Sequence, residues 1–252
     1  YNIEHVIGTA QDDTFTGNSD NNSLVGGAGN DTFYIIDVNN GNDVIEGDTS
    51  AGNVGLRDTI DYSALGNGIT VTLNGDNYSN AVSGSTTHQI KNIENVTGTT
   101  SSDFIIGDTN ANILKGNAGN DTLYGGAGND TLEGGVGDDL FKASAFDDGS
   151  DTFDGEKDGI LDTGIDTVDY SALNNTYRLE VNLTSGTALI KSGTTTVTTH
   201  QTDILRNIEN VTGTVGDDTF IGDSENNVFD GKTGNDTVSY DHITDPNTDI
   251  VI

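Results

Sequence analysis

Residues 116–142 read Gly-Asn-Ala-Gly-Asn-Asp-Thr-Leu-Tyr, then Gly-Gly-Ala-Gly-Asn-Asp-Thr-Leu-Glu, then Gly-Gly-Val-Gly-Asp-Asp-Leu-Phe-Lys. The three nonapeptides follow one another without a break, and each obeys G-(G/N)-x-G-x-D-x-U-x, with U a large apolar residue. Position six is Asp121, Asp130 and Asp139; position eight is Leu123, Leu132 and Phe141. A strict short period is the signature of stacked repeats, each unable to bury its apolar side chain alone. The Gly-rich hexamer turns, and the last three residues form a short strand whose U side chain points inward. Two nonapeptides make one coil, so loops 18 residues apart stack on the same edge. The expected fold is all-β, a parallel β-roll.

Working outward, the same grammar recurs. Asn2-Ile3-Glu4-His5-Val6-Ile7-Gly8-Thr9 returns as Asn92-Ile93-Glu94-Asn95-Val96-Thr97-Gly98-Thr99 and as Asn207-Ile208-Glu209-Asn210-Val211-Thr212-Gly213-Thr214. Each copy leads into nonapeptides beginning at Gly8, Gly98 and Gly213. The second nonapeptide of every block carries Asn at position six: Asn22, Asn112 and Asn227. Two blocks continue past a three-residue insertion, keeping Gly41, Asp43 and Ile45 in register in Val38–Glu46, and Gly149, Asp151 and Phe153 in Phe146–Asp154.

Between blocks the texture changes. Asp58-Thr-Ile-Asp-Tyr-Ser-Ala-Leu65 is echoed by Asp166-Thr-Val-Asp-Tyr-Ser-Ala-Leu173. Alternating segments follow, with Ile69, Val71 and Leu73, and then Tyr177, Leu179, Val181 and Leu183, on one face. Such alternation predicts half-buried strands and hairpins. The expected organisation is therefore β-roll segments interrupted by β-strand and hairpin inserts. Residues 1–54 form a first roll block, 55–91 a β-rich insert, and 92–154 a second block. Residues 155–206 form an acidic loop and β-rich insert, and 207–252 a third block and the start of a further unit.

These residue types point to a hard cation. Glycine at positions one, two and four tolerates unusual backbone angles and close approach; the best-placed are Gly26, Gly116, Gly119, Gly125, Gly128, Gly134 and Gly137. That places carbonyls beside a carboxylate, the all-oxygen environment Ca²⁺ prefers. The stacking rule pairs Asp13 with Asp31, Asp103 with Asp121, Asp121 with Asp139, and Asp218 with Asp236. Across the insertions it pairs Asp130 with Asp151 and Asn22 with Asp43. Loops with Asn at position six are expected to bind weakly or not at all. Stacked carboxylates repel without a cation, so metal binding and folding should be coupled.

Composition agrees. The 252 residues hold 41 acidic and 9 basic side chains, a net charge of -32, with 34 Gly, one Pro and no Cys. This charge opposes compaction and disfavours nucleic acid or anionic membrane as partners while favouring cations. The lack of Cys excludes a disulfide scaffold and thiolate metal sites. No apolar run nears ~18 residues, so no transmembrane segment is expected. Residues 1–15 lack the layout of a signal peptide, and Asn2 starts inside a motif, so both ends read as cut from something longer.

Other features read more plainly. Asp154, Glu156, Asp158 and Asp162 with Gly159 resemble the start of an EF-hand loop, but Ile165 stands where the bidentate Glu belongs. An acidic linker is the expected role there, an extra calcium site the alternative. The four His residues show no catalytic or metal spacing, and His88 and His200 are expected on strand or turn surfaces. Asp245-Pro246 reads as a turn. Paired acids such as Asp12-Asp13 and Asp217-Asp218 lie on repeat loops, where ligation explains them better than acid–base catalysis.

Gly116–Lys142, and less closely the flanking copies, resemble the repeats-in-toxin (RTX) family of secreted bacterial proteins. The Asn-Ile-Glu-Asn and Asp-Tyr-Ser-Ala-Leu punctuation is similar to that of RTX adhesins and S-layer proteins. The resemblance implies several Ca²⁺ ions, type I secretion and folding outside the cell, at the cell surface. It also implies position-six ligands at Asp13, Asp31, Asp43, Asp103, Asp121, Asp130, Asp139, Asp151, Asp218 and Asp236. The expected function is a non-catalytic structural module, its partners calcium, other copies in a surface lattice, or a host or cell-surface ligand. The alternative is the secretion and folding domain of an RTX protease, lipase or epimerase; ice binding is a third reading.

Overall fold

A computed structural model of the chain describes residues 3–36, 41–48, 57–143, 149–156, 164–174, 176–192 and 199–239. Among them are 24 strands and no helix, arranged as two 12-stranded sheets. Most strands are three residues long, as a nonapeptide with a six-residue turn requires. Outside two three-strand segments, successive strands alternate between the sheets, so each coil adds one parallel strand to each.

The register is set by position eight. In the first sheet Ile105 lies against Leu123, Leu123 against Phe141 and Phe141 against Val168. In the second, Val96, Leu114, Leu132 and Phe153 form the equivalent row. These side chains are fully buried or nearly so, and together they form one thin core running the length of the roll. A one-residue slip would turn the whole row outward, so the apolar row specifies the register. Outward positions carry polar residues, including the cross-strand pairs Lys115–Glu133 and Lys91–Glu46.

The alternating segments form strands of the same two sheets. Ile69–Thr72, Ser79–Ser83 and Thr86–Lys91 make an antiparallel meander inside the first sheet. It joins Val44–Asp48 on one side and Phe104–Ile106 on the other, both in parallel. Tyr177–Asn182, Thr187–Ser192 and Thr199–Arg206 do the same in the second sheet, between Thr152–Asp154 and Thr219–Ile221. Ile69, Val71 and Leu73, and Leu179, Val181 and Leu183, are buried as their alternation predicts.

The first residues assigned to the inserts are in fact roll. Thr59–Asp61 pairs with Thr32–Tyr34 and Asn95–Thr97, and Thr167–Asp169 with Leu140–Lys142 and Asn210–Thr212. Asp58-Thr-Ile-Asp and Asp166-Thr-Val-Asp are the closing halves of nonapeptides opened by Gly47 and Gly155. The sequence between those halves is six residues longer than usual.

Candidate metal sites along two carboxylate ladders

The position-six residues stack along both edges of the roll. In every regular step the backbone N–H of one such residue donates to the carboxylate of its counterpart in the next coil. On one edge Asp103 N–H donates to Asp121 Oδ1 and Asp121 N–H to Asp139 Oδ1, both at 2.7 Å. On the other, Asp13 N–H donates to Asp31 Oδ1, also at 2.7 Å, Asp130 N–H to Asp151 Oδ1 at 2.9 Å, and Asp218 N–H to Asp236 Oδ1 at 3.0 Å. Asn22 N–H reaches Asp43 Oδ1 at 2.8 Å. All six pairs expected from the stacking rule are juxtaposed.

One carboxylate oxygen is thus occupied by the ladder, and the second distinguishes the sites. In the first nonapeptide of each block the second residue is Thr. Its N–H donates to Asp13, Asp103 or Asp218 Oδ2 at 2.6, 2.6 and 2.7 Å, and its hydroxyl donates to the same carboxylate. Asp31 and Asp121 lack that cap. Gly27 and Asn117, which stand in the Thr position, take φ of +117° and +80°, where their N–H points elsewhere. Asp31 Oδ2 and Asp121 Oδ2 are buried with no hydrogen-bond donor.

Each of these oxygens faces a second acceptor. A Cβ on Gly116 would lie 2.0 Å from Asp121 Oδ2 and 2.6 Å from the Gly134 carbonyl; on Gly26, 2.1 Å from Asp31 Oδ2 and 2.6 Å from the Gly47 carbonyl. Position one is therefore glycine for space, because the carboxylate folds over its Cα, and its φ lies outside the left-handed region. Positions two and four do use positive φ, as at Gly126 and Gly135 and at Gly119, Gly128 and Gly137. Buried oxygens gathered without a proton donor are costly unless something positive lies among them. Burial pushes Asp121 up to about 7 and raises Asp31, Asp103 and Asp218. Among the described residues no three acidic or imidazole groups converge on one point; a cation here would take one or two carboxylates and complete its shell with carbonyls, as calcium accepts.

At Asn112 and Asn227 the amide has a specific cause. Each follows a coil carrying Asn-Ile-Glu, where the Glu94 N–H donates to the Asp58 carbonyl, away from the next coil. Asn112 answers with its amide: Nδ2 donates to the Glu94 carbonyl at 2.9 Å, and Oδ1 accepts from Asp108 N–H at 2.8 Å. Asn227 repeats this against Glu209 and Asp223.

Six ladder members escaped the sequence reading. Asp58, Asp166 and Asp203 accept from Asp31, Asp139 and Asp151 N–H, and Glu94 and Glu209 from Asp58 and Asp166 N–H. The sixth is His88, which is fully buried and not on the surface as expected. Its Nδ1 accepts from Asp43 N–H at 3.3 Å because His88-Gln-Ile-Lys occupies the D-x-U-x register. The side chain of His200, residues 157–163 of the EF-hand-like stretch, and Asp245-Pro246 lie outside the described residues.

Comparison with known proteins adds a family. Residues 2–34, 106–141 and 207–238 match the family model described as the RTX calcium-binding nonapeptide repeat, four copies. The chain carries RTX calcium-binding repeats, and the ladders extend the same geometry to Asp43, Asp103 and Asp151, outside the matched residues. No curated protein matches. Among solved structures the chain is similar to an extracellular lipase, LipA, from Serratia marcescens, at 16% identity and a TM-score of 0.27. The match covers 81% of this chain, which spans 38% of the lipase.

Proposed function

We propose that this β-roll is a calcium-dependent, non-catalytic structural module of a secreted bacterial surface protein, an S-layer protein or RTX adhesin. The five sequence segments would be its building units, with Thr59–Asp61 and Thr167–Asp169 moved from the inserts to the roll. The carrying observation is the pair of buried carboxylate ladders in which Asp31 Oδ2 and Asp121 Oδ2 meet a carbonyl and no donor. Asp31, beside Gly26, and Asp121, beside Gly116, would hold Ca²⁺ most firmly. Asp13 and Asp103 would contribute the facing carboxylates there, and Asp218 the one that faces Asp236.

The protein's own part is to preorganise. Ladder hydrogen bonds orient each carboxylate, glycines admit it to the backbone, and the apolar row fixes the spacing between coils. A bound cation supplies the positive charge that neutralises neighbouring carboxylates. The buried acids are engaged in stacking coils, which supports a scaffold over an acid–base catalyst. Secretion before folding suits this design, since a chain of net charge -32 resists collapse until a divalent cation is plentiful.

Calcium titration followed by far-UV circular dichroism and calorimetry tests the reading. The calcium-free chain should be largely disordered and become β-rich and cooperative on binding several ions. The same fold and melting temperature with and without calcium would overturn it.

A further inference from the structure

The interrupted coils repeat the cradle geometry with different parts. Gly47 opens a split nonapeptide that Asp58 closes, and a Cβ there would lie 2.2 Å from Asp58 Oδ2 and 1.9 Å from the Asn92 carbonyl. Asp58 is 0% exposed, and its Oδ2 has no hydrogen-bond donor. Its Oδ1 already accepts from Asp31 N–H, and its own N–H donates to Glu94 Oε2 at 2.9 Å. The bare oxygen therefore faces a carbonyl on one side and a carboxylate in the next coil.

On the opposite edge the same residue types meet in the same arrangement around Asp166. A Cβ on Gly155 would lie 2.3 Å from Asp166 Oδ2 and 2.1 Å from the Asn207 carbonyl, and Asp166 N–H donates to Glu209 Oε2 at 2.7 Å. Asn92 and Asn207 both adopt left-handed backbone, φ 52° and 51°. Asn tolerates this conformation better than other side-chain-bearing residues. At the regular sites the facing carbonyl comes from a glycine at position one, Gly47 or Gly134. Here the Asn of Asn-Ile-Glu supplies it, while the Glu supplies the charge.

We propose that the two interrupted coils are themselves calcium sites, one held by Asp58, Glu94 and the Asn92 carbonyl, the other by Asp166, Glu209 and the Asn207 carbonyl. This rests on the calcium reading of the regular repeats and adds two sites outside their consensus. It also explains the longer reach of Glu at these steps. The acid belongs to a coil entered after an intervening insert, and the extra methylene lets its carboxylate meet Asp58 or Asp166. The insert becomes a place where the metal row continues.

Native mass spectrometry of the full chain in calcium decides the matter, with Glu94→Gln and Glu209→Gln made singly and together. Glutamine keeps a carbonyl to accept the Asp58 or Asp166 N–H while removing the charge. Each single variant should hold one ion fewer than the parent, and the double variant two fewer, with unchanged circular dichroism in saturating calcium. If either variant fails to fold, Asp58→Asn or Asp166→Asn removes charge from the other side of the same site and reads out the same count. A parent that binds several ions beside folded variants that bind equally many would overturn the two sites and leave the regular ones standing. A parent that binds none would overturn the calcium reading itself.

Discussion

At the scale of single residues, each ladder position does one job that its neighbours dictate. Gly116 is glycine because Asp121 folds over it, so Gly116→Ala should displace the carboxylate against a backbone carbonyl that cannot retreat. A loss of about 2–3 kcal/mol is expected for overpacking of this kind, together with loss of the ion at Asp121. Calorimetry and calcium titration check both, with Gly66→Ala, which meets nothing within 4 Å, as the neutral control. Asn112 is an amide because it must donate to the Glu94 carbonyl. Asn112→Asp would set acceptor against acceptor and should cost about 1–3 kcal/mol, read from denaturant unfolding. The nonapeptide spacing makes Asp13, Asp121 and their partners legible from sequence alone. Asp58, Asp166, Asp203 and His88 were hidden because their ladder partners stand 27, 27, 52 and 45 residues away. A signal existed in three of them: Asp58-Thr-Ile-Asp, Asp166-Thr-Val-Asp and Asp203-Ile-Leu-Arg all fit D-x-U-x. Nothing in an isolated His-Gln-Ile-Lys distinguishes a ladder member from a surface strand.

At the scale of elements, three-residue strands have little stability of their own and depend on the row behind them. Leu123 is fully buried between Ile105 and Phe141. Leu123→Ala should cost about 2–5 kcal/mol, the range for a large-to-small change in a packed core. Because the row is continuous, hydrogen exchange should quicken in Phe104–Ile106 and Leu140–Lys142 as well as in the mutated strand. The alternation of Ile69, Val71 and Leu73 revealed strands, but alternation carries no information about which sheet receives them. That depends on where the chain leaves the preceding coil, and on the antiparallel return through Ser79–Ser83 that brings Thr86–Lys91 back beside Val44–Asp48. Pairing of this range is invisible to local pattern.

At the scale of the whole molecule, buried carboxylates and net charge govern folding together. Asp121 and Asp58 sit near 7 and Glu94 near 7 in the fold, against 3.8 and 4.5 ordinarily, burial being the main cause in each. Between those limits the folded state binds more protons than the unfolded one. Stability of the calcium-free chain therefore falls as pH rises through this window and is greatest toward its acid end. In calcium-free buffer, acidification from pH 8 to pH 5 should raise the β-strand circular dichroism signal of the largely disordered chain, and calcium titrations at pH 5 should need more calcium because protons compete. A β signal that falls on acidification in calcium-free buffer would contradict this. Size should respond as well. X-ray scattering in chelator should give a radius of gyration of roughly 55 Å, as for an unfolded chain of this length. With calcium it should fall to roughly 20 Å, as for a rod of twelve strands spaced ~4.8 Å apart.

The two antiparallel meanders lie in opposite sheets, and among the described residues both sheets still contain twelve strands. In the language of crystals, each meander is an extra half-plane, a dislocation that advances one sheet two rows beyond the other. The first tips the stacking one way; the second, inserted in the facing sheet, has the opposite sign and cancels it. The far end of the roll thereby regains phase with the near end. Units of this design can be strung in series without accumulating curvature, while a unit with a single meander would veer at every repeat.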